Sequence, residues 1–225
     1  MAVLDSPHWE ATVPGARTFI ITLGRLPSLK PFYLAGGTAL ALRLGHRISE
    51  DLDVFANIDQ LTDAIRQNII DEIQSHHVLE VIKNSPLGLI LKADSQPASF
   101  FSYGYPMLEP TDSIAGLQVA GIADIGLMKL DAIAGRGARK DFCDLYFIAR
   151  QIPLDVLFAR ATEKYPHFPR FGMRVLETLV DFDFADGQNP PTMLQAVDWE
   201  TMKAFFVSEA TRLGQLWFGS ASPDP

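Results

Sequence analysis

Two segments, YLAGGTAL (33–40) and ISEDLDVF (48–55), decide how this chain is read. The first opens with a brief apolar run of strand type, Phe32 to Ala35, which Gly36 and Gly37 stop. Thr38 then opens a helix with Leu40, Ala41 and Leu44 on one face. The second reads as a strand over Asp51 to Phe55, because acid and apolar residues alternate. Glycines let a backbone approach a phosphate closely, and the amides of a helix N-terminus present partial positive charge to it. Thr38 adds a hydroxyl donor. Asp51 and Asp53 stand two apart on a strand, hence on one face and about 7 Å apart, where two carboxylates share one or two Mg²⁺ ions that also grip phosphate oxygens. Leu52 and Val54 bury the other face, and Arg47 lies close enough to reach the same phosphates. A lone Gly-Gly-Thr is an ordinary turn and helix start, and a lone D-x-D is an ordinary solvated strand face. The conjunction of strand, Gly-Gly-Thr, one helix and an acid-apolar-acid strand is what carries the chemistry.

Outward from this stretch the pattern is mixed. Residues 1–16 form an irregular lead-in, and Phe19, Ile20, Leu23 and Leu26 mark a short helix over 17–29. Leu61, Ile65, Ile69 and Ile73 give an amphipathic helix after an Asp59 cap. Strands at 87–93 and 98–103 flank a hairpin turn at 94–97, and 117–120 is another strand. Asp124 caps a helix carrying Ile125, Met128, Ala132 and Ile133, which Gly135 and Gly137 break. Further helices follow at 141–150, 154–164, 170–181 and 192–213. The expected organisation is a 17–115 α/β core, a mainly helical 116–218 region and a frayed 219–225 tail, with the break near residues 110–122, where 109–112 reads as a turn. Strands are not regularly interleaved with long helices, so the class is α+β with a mixed sheet, and a doubly wound parallel sheet is disfavoured.

Composition narrows the function. The 225 residues are 48% hydrophobic, enough for a core and too apolar for a disordered chain. With 19 Lys+Arg against 27 Asp+Glu the formal charge is −8, which disfavours non-specific nucleic-acid coating. The chain has one cysteine, Cys143, which excludes an internal disulfide framework and a multi-cysteine zinc site. No apolar run spans a bilayer, and the opening lacks a secretory leader pattern, so a cytoplasmic protein without membrane partners is expected. His76 and His77 read as exposed polar residues. Cys143 reads as a core thiol, Asp181 and Asp183 as a helix end, and Trp199, Phe205, Phe206 and Trp217 as helix packing.

The chain resembles the AbiEii/AbiGii-type nucleotidyltransferases of the DNA polymerase β-like superfamily. The matching segments are LAGGTALALRLGHRISEDLDVF (34–55), FFSYGYPMLEP (100–110), IADIGLMKLDAIAGRGARKDFCDLYFI (122–148) and DGQNPPTMLQAVDWETMKAFF (186–206). The resemblance runs from about residue 30 to 207 and implies a polymerase β-like core followed by helices. It also implies Mg²⁺-dependent transfer of a nucleoside monophosphate from an NTP, with pyrophosphate release. Family members are toxins of bacterial toxin–antitoxin or phage-defence pairs, and some modify tRNA ends. NTP, an RNA or tRNA acceptor and a cognate antitoxin are therefore the implied partners. By motif, Gly36, Gly37, Thr38 and Arg47 bind nucleotide, Asp51 and Asp53 bind metal and are catalytic, Lys129 matches a catalytic and nucleotide-binding lysine, and Asp141 a catalytic acid.

The residues make a separate case for the second cluster. Lys129 stands in an otherwise apolar helix, where an ammonium seeks an anion and can neutralise triphosphate charge. Gly135 to Lys140 form a short basic loop suited to phosphates. Asp141 acts on the acceptor hydroxyl or orients Lys129. The plainer alternatives are first-turn acids answering a helix dipole at Asp141 and Asp144, and a surface lysine at 129. One departure stands out: the superfamily often has a third carboxylate beside the D-x-D strand, and here Ser99 holds that place, sharing its face with Phe101 and Tyr103. A serine hydroxyl is no anionic base or metal ligand at neutral pH. A non-catalytic nucleotide- or RNA-binding module is thus the alternative, and the neutralising partner of a toxin a third reading.

Overall fold

A computed structural model describes residues 2–218, so the tail expected at 219–225 lies outside the described residues. The chain divides into two compact units, Met1–Ile125 and Gly126–Pro225. The first unit contains α1 (Pro14–Leu23), β1 (Phe32–Ala35), α2 (Gly36–Leu44), β2 (Leu52–Ala56), α3 (Asp63–Gln74), β3 (Leu79–Ser85), β4 (Gly88–Ala93), β5 (Gln96–Ser102), β6 (Asp112–Ile114) and β7 (Leu117–Val119). These strands form one seven-stranded sheet in the order β3-β4-β5-β2-β1-β7-β6. β1 runs antiparallel to β2 but parallel to β7, and β2 runs parallel to β5. The sheet is mixed, as expected.

Burial explains the central strands. Phe32, Tyr33, Leu34 and Ala35 of β1 are all buried, whereas β2 alternates, sending Leu52, Val54 and Ala56 into the core and turning Asp53 and Phe55 to the other face. α1 and α2 cover the core with Phe19, Ile20 and Leu23, and with Leu40, Ala41 and Leu42. Arg43 ties α2 to the far edge of the sheet, donating to the Ala120 carbonyl at 2.8 Å and pairing with Asp112 at 2.8 Å.

Several local expectations are corrected. α2 starts at Gly36, so both glycines lie in its first turn and not before it. Thr62, not Asp59, caps α3, its hydroxyl accepting the Ile65 amide at 3.3 Å. The β4–β5 turn is tighter than the 94–97 expected: Asp94 (φ 48°) and Ser95 (φ 72°) form a two-residue loop with positive φ at both positions. A second such hairpin, at Ala115 (φ 51°) and Gly116 (φ 94°), joins β6 to β7. It occupies the stretch where a break was expected. Asp124 does not cap α4 (Ile122–Gly135). It lies fully buried in the first turn and accepts the amides of Leu108 and Glu109 at 3.0–3.1 Å. His77 is no solvated residue either: its ring bonds Asp94 at 2.8 Å and Thr22 at 2.9 Å.

α4 begins in the first unit and continues into the second, which adds α5 (Arg139–Ala149), α6 (Leu154–Lys164), α7 (Phe171–Thr178), α8 (Asp183–Asp186) and α9 (Trp199–Phe218). α9 starts seven residues later than the 192 expected from periodicity, because Asp198 accepts the Thr201 amide at 2.9 Å and caps it there. Phe142 lies at the centre of this unit, 5.2 Å from Phe182, 6.0 Å from Trp199 and 5.4 Å from Phe206, ring to ring. Cys143 is a buried thiol beside it. Among the described residues, no helix is long and apolar enough to cross a membrane.

Candidate active site

The first unit brings its site together at one end of the sheet. β1 and β2 are antiparallel, so the end of β1 and the start of β2 meet, with Ala35 opposite Asp53. Gly36 follows at φ 65°, in the left-handed region that glycine adopts without strain. A Cβ at Gly36 would sit 2.9 Å from the Asp53 carboxylate oxygen, so the missing side chain is what keeps that side of the carboxylate open. Asp53 is half-buried and Asp51, just ahead of the strand, is exposed.

Thr38, 1% exposed, points inward. Its hydroxyl donates to the Asp51 backbone carbonyl and lies 3.0 Å from the Ser49 hydroxyl, so it braces the acid-bearing segment instead of presenting a donor to a phosphate. Arg47 is also buried, with Nη1 donating to the Ile48 carbonyl at 3.0 Å and Nη2 packed on Gly37, where a Cβ would come within 2.4 Å. Buried Gln96 donates to the Glu50 carbonyl at 2.5 Å and holds the same segment from β5. Neither Ser49 nor Gln96 carries a sequence signal for this role, since both act through neighbours distant along the chain.

Asp53 faces Ser99 across the β2–β5 pairing, so a serine stands directly beside the D-x-D strand. Among the described residues, no group of three or more His, Cys, Asp or Glu gathers to hold a metal. The acids at this end of the sheet are Asp53 on β2 and Asp51 just ahead of it, and carboxylate oxygens are hard donors. That set suits Mg²⁺, which keeps water and takes phosphate oxygens for its remaining positions.

The second unit holds the other cluster. Lys129 of α4 is buried, its ammonium 2.9 Å from Asp141 and 2.6 Å from Asp144, both fully buried on α5. Arg136 adds a two-pronged contact to Asp141, with Nε at 2.8 Å and Nη2 at 3.0 Å. The surface-lysine alternative fails. Of the basic loop, Arg136 grips Asp141 and Arg139 donates to the Gln188 carbonyl at 3.2 Å with its guanidinium 4.8 Å over Trp199, while Lys140 is exposed. Burial pushes the Asp141 carboxyl up, but Lys129 and Arg136 push it down by more, so it sits below the usual carboxylate range. A group whose folded-state pKa is lowered stabilises the protein above its unfolded value and loses that contribution as pH falls through the folded one. Stability to urea is therefore expected to hold near neutrality and to fall below about pH 4. Urea midpoints measured across that range check it, and Asp141→Asn should flatten the decline.

The fold is that of a nucleotidyltransferase. It is similar to the nucleotidyltransferase toxin MenT4 from Mycobacterium tuberculosis (TM-score 0.54, 17% identity, 88% of this chain and 82% of that one). It is also similar to a putative nucleotidyltransferase from Helicobacter pylori (TM-score 0.50, 18% identity, 90% and 93%). In sequence, residues 21–105 match the family described as nucleotidyl transferase AbiEii toxin, type IV toxin–antitoxin system. The uncharacterized protein aq_aa25 of Aquifex aeolicus is 35% identical over 181 residues, covering 78% of this chain and 84% of that protein. The chain belongs to one family with aq_aa25, and its residues 21–105 match the AbiEii nucleotidyltransferase toxin family.

Proposed function

We propose that this protein is a Mg²⁺-dependent nucleotidyltransferase that moves a nucleoside monophosphate from an NTP to an acceptor hydroxyl on RNA, tRNA in particular. It acts in the cytoplasm as the toxin of a pair whose antitoxin restrains it. The observation that carries the reading is the meeting of Gly36 with the Asp53 carboxylate at the shared end of β1 and β2. Asp51 and Asp53 hold the ion, which offsets charge on the phosphate oxygens when bound. Gly36 and Gly37, in the first turn of α2, give the triphosphate backbone amides at close range. Thr38 and Arg47 hold that turn against the acid-bearing segment. In the second unit, Lys129 is the cation that the family motif assigns to catalysis and Asp141 is the acid that positions it, since both Asp141 oxygens already accept from Lys129 or Arg136. The acceptor oxygen attacks the α-phosphorus, the bond to the bridging oxygen breaks, and pyrophosphate leaves.

The test is mass spectrometry of tRNA incubated with the full-length protein, Mg²⁺ and each NTP in turn. One added nucleotide with release of pyrophosphate is expected. Ser99 beside Asp53 favours one other reading, a module that binds NTP without turnover. Calorimetric binding of Mg²⁺-NTP with no pyrophosphate from any acceptor would establish that module instead.

A further inference from the structure

We propose that Phe55, Phe101 and Tyr103 form a stacking platform for unpaired bases at the 3′ end of an RNA acceptor. The proposal rests on the nucleotidyltransferase reading of Asp53 and names where that reading's acceptor lies.

The strand register sets the platform. Asp53 pairs with Ser99 and Phe55 with Phe101, so one step along the sheet from the acid and the serine the same face carries two aromatic rings. Phe55 lies 5.5 Å from Phe101 and 5.5 Å from Tyr103, and Tyr103 lies 5.0 Å from Tyr105, giving a continuous row. The opposite face already holds the apolar core through Val54 and Phe100, both fully buried, whereas Phe55, Phe101 and Tyr103 are only partly buried. Phe101 packs against the neighbouring strand, where a Cβ on Gly88 would come within 2.9 Å of its ring. The Phe55 and Phe101 rings are inclined by only 33° to each other, whereas Tyr103 stands at 66° to Phe55, and partly buried aromatic rings of this kind are what a base stacks on. At the β1 edge of the row, Tyr33 stacks on Phe55 at 6.1 Å, and its buried hydroxyl has no hydrogen-bond partner among the described residues.

In-line chemistry chooses the occupant. The acceptor oxygen and the leaving pyrophosphate lie on opposite sides of the α-phosphorus. The glycine turn that takes the phosphates follows β1, on one side of β2, and Ser99, Phe101 and Tyr103 lie on or just after β5, on the other. The acceptor strand therefore approaches over β5. Stacking without base-edge contacts tolerates any base, so the platform selects an unpaired end and not a sequence.

The test is fluorescence anisotropy of the full-length protein with a 5′-fluorescein RNA strand of about ten nucleotides, without NTP. Phe101→Leu and Tyr103→Leu keep side-chain bulk but remove a ring, and each is expected to weaken binding roughly 5- to 150-fold. Tyr103→Phe should bind like the native protein, and the same strand annealed into a blunt duplex should bind weakly. Thermal unfolding and Mg²⁺-NTP calorimetry of each variant should match the native protein. Failure of the native protein to bind the strand, undiminished binding by both leucine variants, or loss of NTP affinity in place of RNA affinity would each overturn the platform. Ring-dependent RNA binding with no nucleotide transfer to any acceptor would leave the platform standing and remove the catalytic reading.

Discussion

Asp53→Asn is expected to lower transfer of label from α-³²P-NTP to RNA by at least about 10²- to 10³-fold, the scale on which one preorganised electrostatic group acts. The substitution keeps the size of the side chain and its place between Ala35 and Ser99, and removes the charge facing Gly36. Asp51→Asn should act in the same direction. The two acids differ in setting, Asp51 exposed and Asp53 half-buried, and neither packs into the core, so both variants should unfold close to the native temperature. Labelled product at native rates from either variant would show that the pair does not hold the reacting phosphate.

The largest stability effect is expected at Lys129→Ala. Removing this ammonium leaves Asp144, fully buried, without its 2.6 Å partner and leaves Asp141 to Arg136 alone. Breaking a buried ion pair on one side costs about 3–5 kcal/mol, because the remaining charge stays desolvated. Urea unfolding measures the loss. Lys129→Met separates charge from packing: it keeps the apolar stem and should be nearly as unstable as the alanine variant. A methionine variant as stable as the native protein would show that the cluster contributes packing and not ion pairing. Arg136→Ala should cost far less, because its side chain is 57% exposed and water screens the pair.

Features confined to neighbouring residues were legible in the sequence. The alternation at 51–55 predicts a strand, which forms at Leu52–Ala56 with Asp51 just ahead of it, and the glycines at 36 and 37 predict the passage from strand to helix, which forms with both already in the first turn of α2. The position of Ser99 beside the D-x-D strand was legible too, once the family resemblance said where to look. β3 was not. Its residues 80–84 are exposed on both faces, so no buried side wrote an alternating pattern into them. Thr38 misled for a related reason: a hydroxyl at a helix start looks like a phosphate donor, and only the folded contacts with Ser49 and Asp51 turn it inward.

The sequence by itself determined that strand, glycine turn, helix and paired acids follow one another, because period-two strands and glycine's freedom of φ are properties of adjacent residues. Tertiary structure alone decided the β2–β5 pairing, which lays Phe101 beside Phe55, and the closure of α5 on α4, which buries Lys129 between two carboxylates. Those outcomes depend on which distant surfaces exclude water together. The free energy of burial is summed over the whole core and is assigned to no local stretch of the chain.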